Sequence, residues 1–235
     1  MNKILVLNHK SKLDIEEVKS YIKDIKDNIR NDLDVIVMPS MCYLPLFYGR
    51  YKFYLGSQNI GFTNSTGEVS INQIKSLNCK YVLIGHSERR ILYNETYDII
   101  NKKIKLAIDN NIRPIVCIGE TIEERERRKT QDVLLKQIRT IFDGILVGED
   151  IIIAYEPVWA IGTGIMPTVS EVKEIISLIK DFVYRKYGKN IKVIYGGSID
   201  KSSVERFNSI RELDGFLIGG ASTDKDKIIE IMNLI

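Results

Sequence analysis

The stretch Ile4-Leu5-Val6-Leu7-Asn8-His9-Lys10, followed by the segment from Ile15 to Ile25, reads as one strand feeding one helix. Ile4–Leu7 is a short unbroken apolar run, the pattern of a parallel strand covered on both faces. Beyond the polar turn, Ile15, Val18, Tyr21, Ile22 and Ile25 recur at spacings of three and four, and lysines and acids take the opposite face. The same unit returns along the chain. Val35–Met38, Phe53–Gly56, Tyr81–Ile84, Pro114–Ile118, Ile151–Tyr155, Lys192–Tyr195 and Phe216–Ile218 bring the candidate strands to eight. Between them, Ile99, Ile100, Ile104 and Ile108 mark a helix from Thr96. Ser170–Tyr187 forms another, with Ser170 as N-cap before Glu171 and Glu174, and Lys227–Ile235 forms the last. Eight β-α units in 235 residues predict an α/β protein closed as a (β/α)8 barrel, for which roughly 250 residues is typical. An open doubly wound sheet is the competing arrangement. No Pro/Gly/Ser-rich linker divides the chain, so residues 1–235 read as one domain.

An apolar content of 44% with 28% charged residues excludes disordered and fibrous classes. The formal net charge of +3 is spread along the chain, too weak to imply nucleic acid or an acidic membrane as partner. The longest uncharged run, Val35 to Gly49, is interrupted by Pro39 and Pro45, so neither a membrane span nor a secretory leader is expected. Cys42, Cys79 and Cys117 form no C-x-x-C pair and no even set, which points to a reducing cytoplasm. With only His9 and His86 beside them, no structural zinc set has workable spacing.

In parallel α/β folds the reacting groups belong at the carboxyl ends of strands. Those positions hold Asn8-His9-Lys10, Gly85-His86-Ser87-Glu88, Glu156-Pro157, Gly196-Gly197-Ser198 and Gly219-Gly220. Glu156 lies between an apolar strand and Pro157-Val158-Trp159. Burial there disfavours its charged form and makes it a stronger base, although alone it reads equally as a structural carboxylate. His86 opens a polar turn, where a neutral imidazole can donate to a carbonyl oxygen, or can merely satisfy backbone groups. Lys10 alone reads as a solvated lysine, but among these neighbours it could hold an anion with Glu88 as its positioning partner, whereas His9 reads as packing or surface. The glycine pairs let backbone N–H groups approach an anion closely, and loops after the seventh and eighth strands are a frequent phosphate site. The segment Pro157–Pro167 is apolar, carries Gly162 and Gly164 at its centre, and suits a lid over Glu156. Glu123–Lys129 mixes both charge signs and reads as a solvated helix face. Tyr43, Phe47, Tyr48, Tyr51 and Phe53 read as packing, or with Arg50 and Lys52 as a small contact patch.

N-x-K at Asn8–Lys10, IGHSERR at Ile84–Arg90, CIGET at Cys117–Thr121, AYEPVWAIGTG at Ala154–Gly164, YGGS at Tyr195–Ser198 and GFLIGGAS at Gly215–Ser222 resemble the triosephosphate isomerase family. TGEVS at Thr66–Ser70 lies in order among them. The resemblance implies a single-domain (β/α)8 TIM barrel that interconverts dihydroxyacetone phosphate and glyceraldehyde 3-phosphate. It implies a homodimer and neither metal nor organic cofactor. It makes Glu156 the base that moves a proton between two substrate carbons, and His86 the group that polarises the carbonyl and shuttles protons between enediolate oxygens. Lys10 offsets negative charge, Asn8 contacts substrate oxygens, and Glu88 pairs with Lys10. Backbone N–H groups of Gly162, Ser198, Gly219 and Gly220 hold the phosphate.

The chain departs from the family in three places. His9 and Ser11 replace tryptophan and methionine beside the lysine. The stretch from Asn59 to Thr66 is a few residues shorter than the family's dimer-forming third loop. The lid ends Ile165-Met166-Pro167, where relatives carry an alanine whose amide is latched by the equivalent of Tyr195; proline has no N–H to offer. Two other readings of the residues stand beside this one: an isomerase of another short aldose/ketose phosphate pair, and a non-catalytic barrel with a binding role.

Overall fold

Each apolar run becomes a strand, and the strands pair in chain order into a closed eight-stranded parallel barrel, β1 through β8, with β8 returning to β1. The structure is a computed structural model that describes residues 2–49, 51–63 and 65–235. The strands are β1 Lys3–Asn8, β2 Leu33–Met38, β3 Tyr54–Ser57, β4 Tyr81–Ile84, β5 Arg113–Ile118, β6 Ile152–Tyr155, β7 Lys192–Tyr195 and β8 Gly215–Ile218. The α-helices are α1 Ile15–Ile25, α2 Ile71–Ser76, α3 Ser87–Leu92, α4 Tyr97–Asp109, α5 Ile122–Glu126, α6 Thr130–Ile141, α7 Val169–Tyr187, α8 Lys201–Phe207 and α9 Lys225–Leu234. After β2 the connection is a 3-10 turn, Met41–Phe47. The register Ile4↔Gly215 to Leu7↔Ile218 closes the cylinder. The open doubly wound sheet is thereby excluded.

Strand side chains alternate between two apolar layers. Ile4, Val6, Ile36, Met38, Leu83, Ile115, Ile152, Ala154, Ile194 and Leu217 fill the barrel interior. Leu5, Leu7, Val35, Val37, Val82, Ile84, Val116, Ile153, Tyr155, Val193 and Ile218 pack outward beneath the helices. Both faces are dry, which is why the strands read as continuous apolar runs rather than alternating ones.

Several expected bounds shift, the last helix running Lys225–Leu234 from an Asp224 cap rather than Lys227–Ile235, and three local expectations change for a visible reason. Helix α7 begins at Val169, because Thr168 rather than Ser170 caps it through a reciprocal capping box with Glu171. Strand β3 starts at Tyr54, one residue late, since Phe53 is drawn into a parallel stack on Tyr51 with ring centroids 4.7 Å apart. That stack, with Phe47 set edge-on to Phe53, makes Phe47, Tyr51 and Phe53 packing groups, whereas Tyr48 is 64% exposed; Arg50 lies outside the described residues. The charged run from Glu123 is not one helix face: α5 stops at Glu126, and Arg128 turns left-handed at φ +56° before α6.

His9 faces outward from β1 and is buried edge-on against Tyr21 of α1, with ring centroids 4.5 Å apart. Neither ring nitrogen, nor the Tyr21 hydroxyl, finds a hydrogen-bond partner among the described residues. Burial pushes His9 down to about 4 from an ordinary 6.5. A base depressed on folding is protonated first in the unfolded chain, so stability is intact above pH 6.5 and is lost on acidification down to about 4. Urea titrations from pH 7 to pH 4 are expected to show roughly 3 kcal/mol less loss in His9→Leu than in the parent. Equal slopes in the two proteins contradict the assignment.

Candidate active site

Strand parity places the first groups at the mouth. On β1, Ile4 and Val6 point inward, so Asn8 and Lys10 continue the inner row at the rim. Lys10 leaves the ladder at φ +54°, a conformation few lysines adopt. Asn8 Oδ1 accepts from the Lys10 amide at 3.2 Å. Gln58 Nε2 donates to the carbonyls of Lys10 at 2.8 Å and Met38 at 2.9 Å. The turn brings the Lys10 ammonium to Glu88 Oε1 at 2.5 Å.

Glu156 continues the inner row of β6 after Ile152 and Ala154, and is only 1% exposed. Two glycines make room for it. A Cβ on Gly119 would lie 1.7 Å from the Glu156 carbonyl oxygen, and one on Gly196 would lie 2.9 Å from its Cγ. On β4, Leu83 points inward and Ile84 outward, so parity alone sends the second residue beyond Ile84 away from the mouth. Gly85 at φ +71° resets the chain, and His86 lines the cavity.

The first turn of α3 organises both His86 and Glu156. The Glu88 amide donates to His86 Nδ1 at 3.2 Å, which leaves the ring proton on Nε2. His86 Nε2 faces Glu156 Oε1 at 3.5 Å, and the Ser87 amide donates to Glu156 Oε2 at 3.3 Å. Burial raises the Cys117 thiol well above its ordinary value, and the neighbouring Glu156 raises it further, so an uncharged thiol in the barrel interior borders Glu156.

The lid arches from Pro157 to Pro167. The Gly162 amide donates to Ser198 Oγ at 3.1 Å, and Ser198 Oγ donates to the Ala160 carbonyl at 2.6 Å. Its root is fixed on Glu120, which accepts from Trp159 Nε1 at 2.8 Å and Tyr155 OH at 3.2 Å. Burial raises the Glu120 carboxyl above its ordinary value, and these donors partly offset that. Arg125 covers the Trp159 ring at 3.8 Å and pairs with Glu171 at 2.6 Å. The charged run after Thr121 thus clamps the lid root, a role its mixed signs did not reveal.

Asn8, Lys10, His86, Glu156, Gly162, Ser198, Gly219 and Gly220 all line one cavity of about 270 Å³. Glu88 is outside the lining and reaches the site through Lys10. A larger groove of about 470 Å³, between Arg125, Arg128 and Glu174 on the barrel's outside, holds no such histidine–carboxylate pair. Sequence reasoning missed Gln58, Ser222 and Lys12. Ser222 Oγ ties the Asn8 carbonyl at 2.8 Å to the Gly219 carbonyl at 2.7 Å. Lys12 had a legible signal, a second lysine two residues past Lys10, whereas Gln58 and Ser222 act on backbone atoms that one sequence does not expose.

A buried carboxylate facing an imidazole N–H, with an ammonium and a glycine-lined edge on a closed (β/α)8 barrel, defines an isomerase of small sugar phosphates. The family model described as triosephosphate isomerase matches residues 3–235. Proteins named triosephosphate isomerase from Alkaliphilus metalliredigens and Dictyoglomus thermophilum are 36% and 39% identical, covering 98% and 94% of both chains. One from Clostridium botulinum is 37% identical and covers 98% of both. The chain belongs to the triosephosphate isomerase family.

The altered lid end has a structural counterpart. Pro167 is buried without an N–H, and the buried Tyr195 hydroxyl has no partner among the described residues. An unpaired buried hydroxyl costs about 1–3 kcal/mol. Tyr195→Phe is therefore expected to keep or raise the melting temperature and to leave turnover within about twofold of the parent. A tenfold loss of turnover in Tyr195→Phe, measured beside Pro167→Ala, contradicts a missing latch.

Proposed function

We propose that residues 1–235 act as one catalytic unit in which Glu156 removes a proton from the carbon next to the carbonyl of dihydroxyacetone phosphate. As a family member the protein interconverts that ketose with glyceraldehyde 3-phosphate. The single observation that carries the residue assignment is the 3.5 Å approach of His86 Nε2 to Glu156 Oε1 inside the cavity. A substrate lying across the pair in the cavity meets base and acid at once, and both are set by the same helical turn.

Proton removal moves negative charge onto oxygen, so a donor already in place lowers the barrier without reorganisation. His86 Nε2–H supplies it, Lys10 offsets the charge, and Asn8 contacts the substrate oxygens. Protonated Glu156 then returns its proton to the neighbouring carbon, while His86 moves protons between the two enediolate oxygens. An enediolate expels phosphate if that group swings out of the reacting plane. The amides of Ser198, Gly219 and Gly220 hold it in plane, joined by the Gly162 amide when lid closure exchanges its Ser198 Oγ partner for phosphate, and the closed lid excludes water.

Homodimer formation and a cytoplasmic setting belong to the same reading. Ile91, Leu92 and Tyr93 are 62–68% exposed, and Phe62 is 46% exposed. Tyr93 and Phe62 sit at the two ends of one ion-pair chain, Tyr93 against Arg89 and Phe62 against Lys103, with Glu95 joining Arg89 to Lys103 at 2.8 and 2.6 Å. Such exposed apolar groups beside the α3 turn suit a second copy of the chain. The free thiols of Cys42, Cys79 and Cys117 suit a reducing compartment. No described helix is long and apolar enough to cross a membrane.

In a coupled isomerase assay, Glu156→Asp is expected to lower kcat about a hundredfold or more with an unchanged melting temperature, since withdrawing the base by one methylene breaks the reacting geometry. Retained turnover removes Glu156 from its role, and equal rates on triose and tetrose phosphates overturn the triose assignment. Light scattering is expected to give twice the chain mass for the parent, and Leu92→Asp is expected to move the population to monomer with a loss of activity. A monomeric, fully active parent overturns the dimer.

A further inference from the structure

Two ammonium groups flank the glycine pair after β8. The Lys10 Nζ lies 3.8 Å from where a Cβ on Gly219 would stand, and the Lys12 Nζ lies 4.0 Å from the corresponding point on Gly220. Lys12 also lines the cavity with Ser198 and Ala221. It reaches there because the left-handed Lys10 folds the chain back, with the Lys12 amide donating to the His9 carbonyl at 3.4 Å.

The two cations differ in what surrounds them. Glu88 gives one oxygen to Lys10 at 2.5 Å and sets the other 3.8 Å from His86 Nδ1. Lys12 is close enough to Glu88 to favour its charged form, yet it makes no ion pair among the described residues. Of the formal charges on the cavity wall, Lys10 is cancelled by Glu88 and Glu156 is negative. Without Lys12 a phosphate dianion would enter a wall that is negative overall. With it, the wall is balanced and the uncancelled cation stands at the glycine edge.

We propose that Lys12 is a second phosphate-binding cation, which holds the outward oxygen of the dianion at Gly220 while Lys10 serves the inner side and the reacting oxygens. The inference rests on the isomerase reading for the substrate, but its chemistry concerns only a phosphate dianion. It makes Lys12 a residue of affinity and specificity, through which the site prefers dianionic ligands and responds to ionic strength. Lys10 is less sensitive to salt because its partner is built in.

The experiment is calorimetric titration of inorganic phosphate into the parent, Lys12→Ala, Lys12→Arg and the charge-matched control Lys189→Ala, whose side chain is exposed just before β7 at the opposite end of the barrel. An ammonium about 5 Å from a dianion predicts about tenfold weaker phosphate binding in Lys12→Ala at low salt, shrinking to about twofold in half-molar salt. Lys12→Arg is expected to keep parental affinity within about threefold, and Lys189→Ala to match the parent. In the isomerase assay KM of Lys12→Ala should rise in parallel, by more than kcat falls. Parental phosphate affinity in Lys12→Ala, an equal loss in Lys189→Ala, or a parent that binds no phosphate overturns the proposal. A parent that binds phosphate through Lys12 but turns over no triose phosphate overturns the isomerase reading alone.

Discussion

Closure of the parallel barrel is the constraint from which the site follows. Once β8 pairs with β1 at Ile4↔Gly215, every strand presents its carboxyl end to one mouth, and alternation decides which side chains enter it. Asn8, Glu156, Gly196 and Gly219 are then fixed by counting along their own strands. Only His86 requires an exception, and Gly85 supplies it with a left-handed residue. The polar rim is therefore supported by the same dry layers that stabilise the fold, with Ala154 and Leu217 directly beneath it.

The architecture was largely legible because both faces of each strand are covered. Uninterrupted runs such as Ile151–Tyr155 have no other comfortable home than a parallel sheet under helices. Boundaries are less legible where a side chain outside the element competes, as Phe53 does by stacking on Tyr51, or where a residue upstream of the expected cap takes its place. Thr168 wins over Ser170 because Glu171 stands where it can return a bond to the Thr168 amide.

Side chains of the site are legible where they follow a strand and carry an ionisable group, as Lys10, Glu156 and His86 do. Gln58 and Ser222 are not, since they act by gripping main-chain carbonyls from distant segments. Arg125 was read as one more charge in a mixed run, and only the approach of α5 to the lid shows its plane lying on Trp159. The general difference is physical. Chemistry that resides in a side chain's own functional group leaves a mark in the sequence, whereas support of a neighbour's backbone depends on a register that pairs residues far apart in the chain.

The chain contains a single tryptophan, and it stands at the base of the segment that arches over the mouth. Its indole N–H is committed to Glu120, and its face is covered by a guanidinium. Any displacement of the arch over the mouth thus alters the polarity and the quenching felt by one chromophore, with no second indole to obscure the signal. The indole is thus an intrinsic optical gauge of that arch, readable in stopped flow without a label.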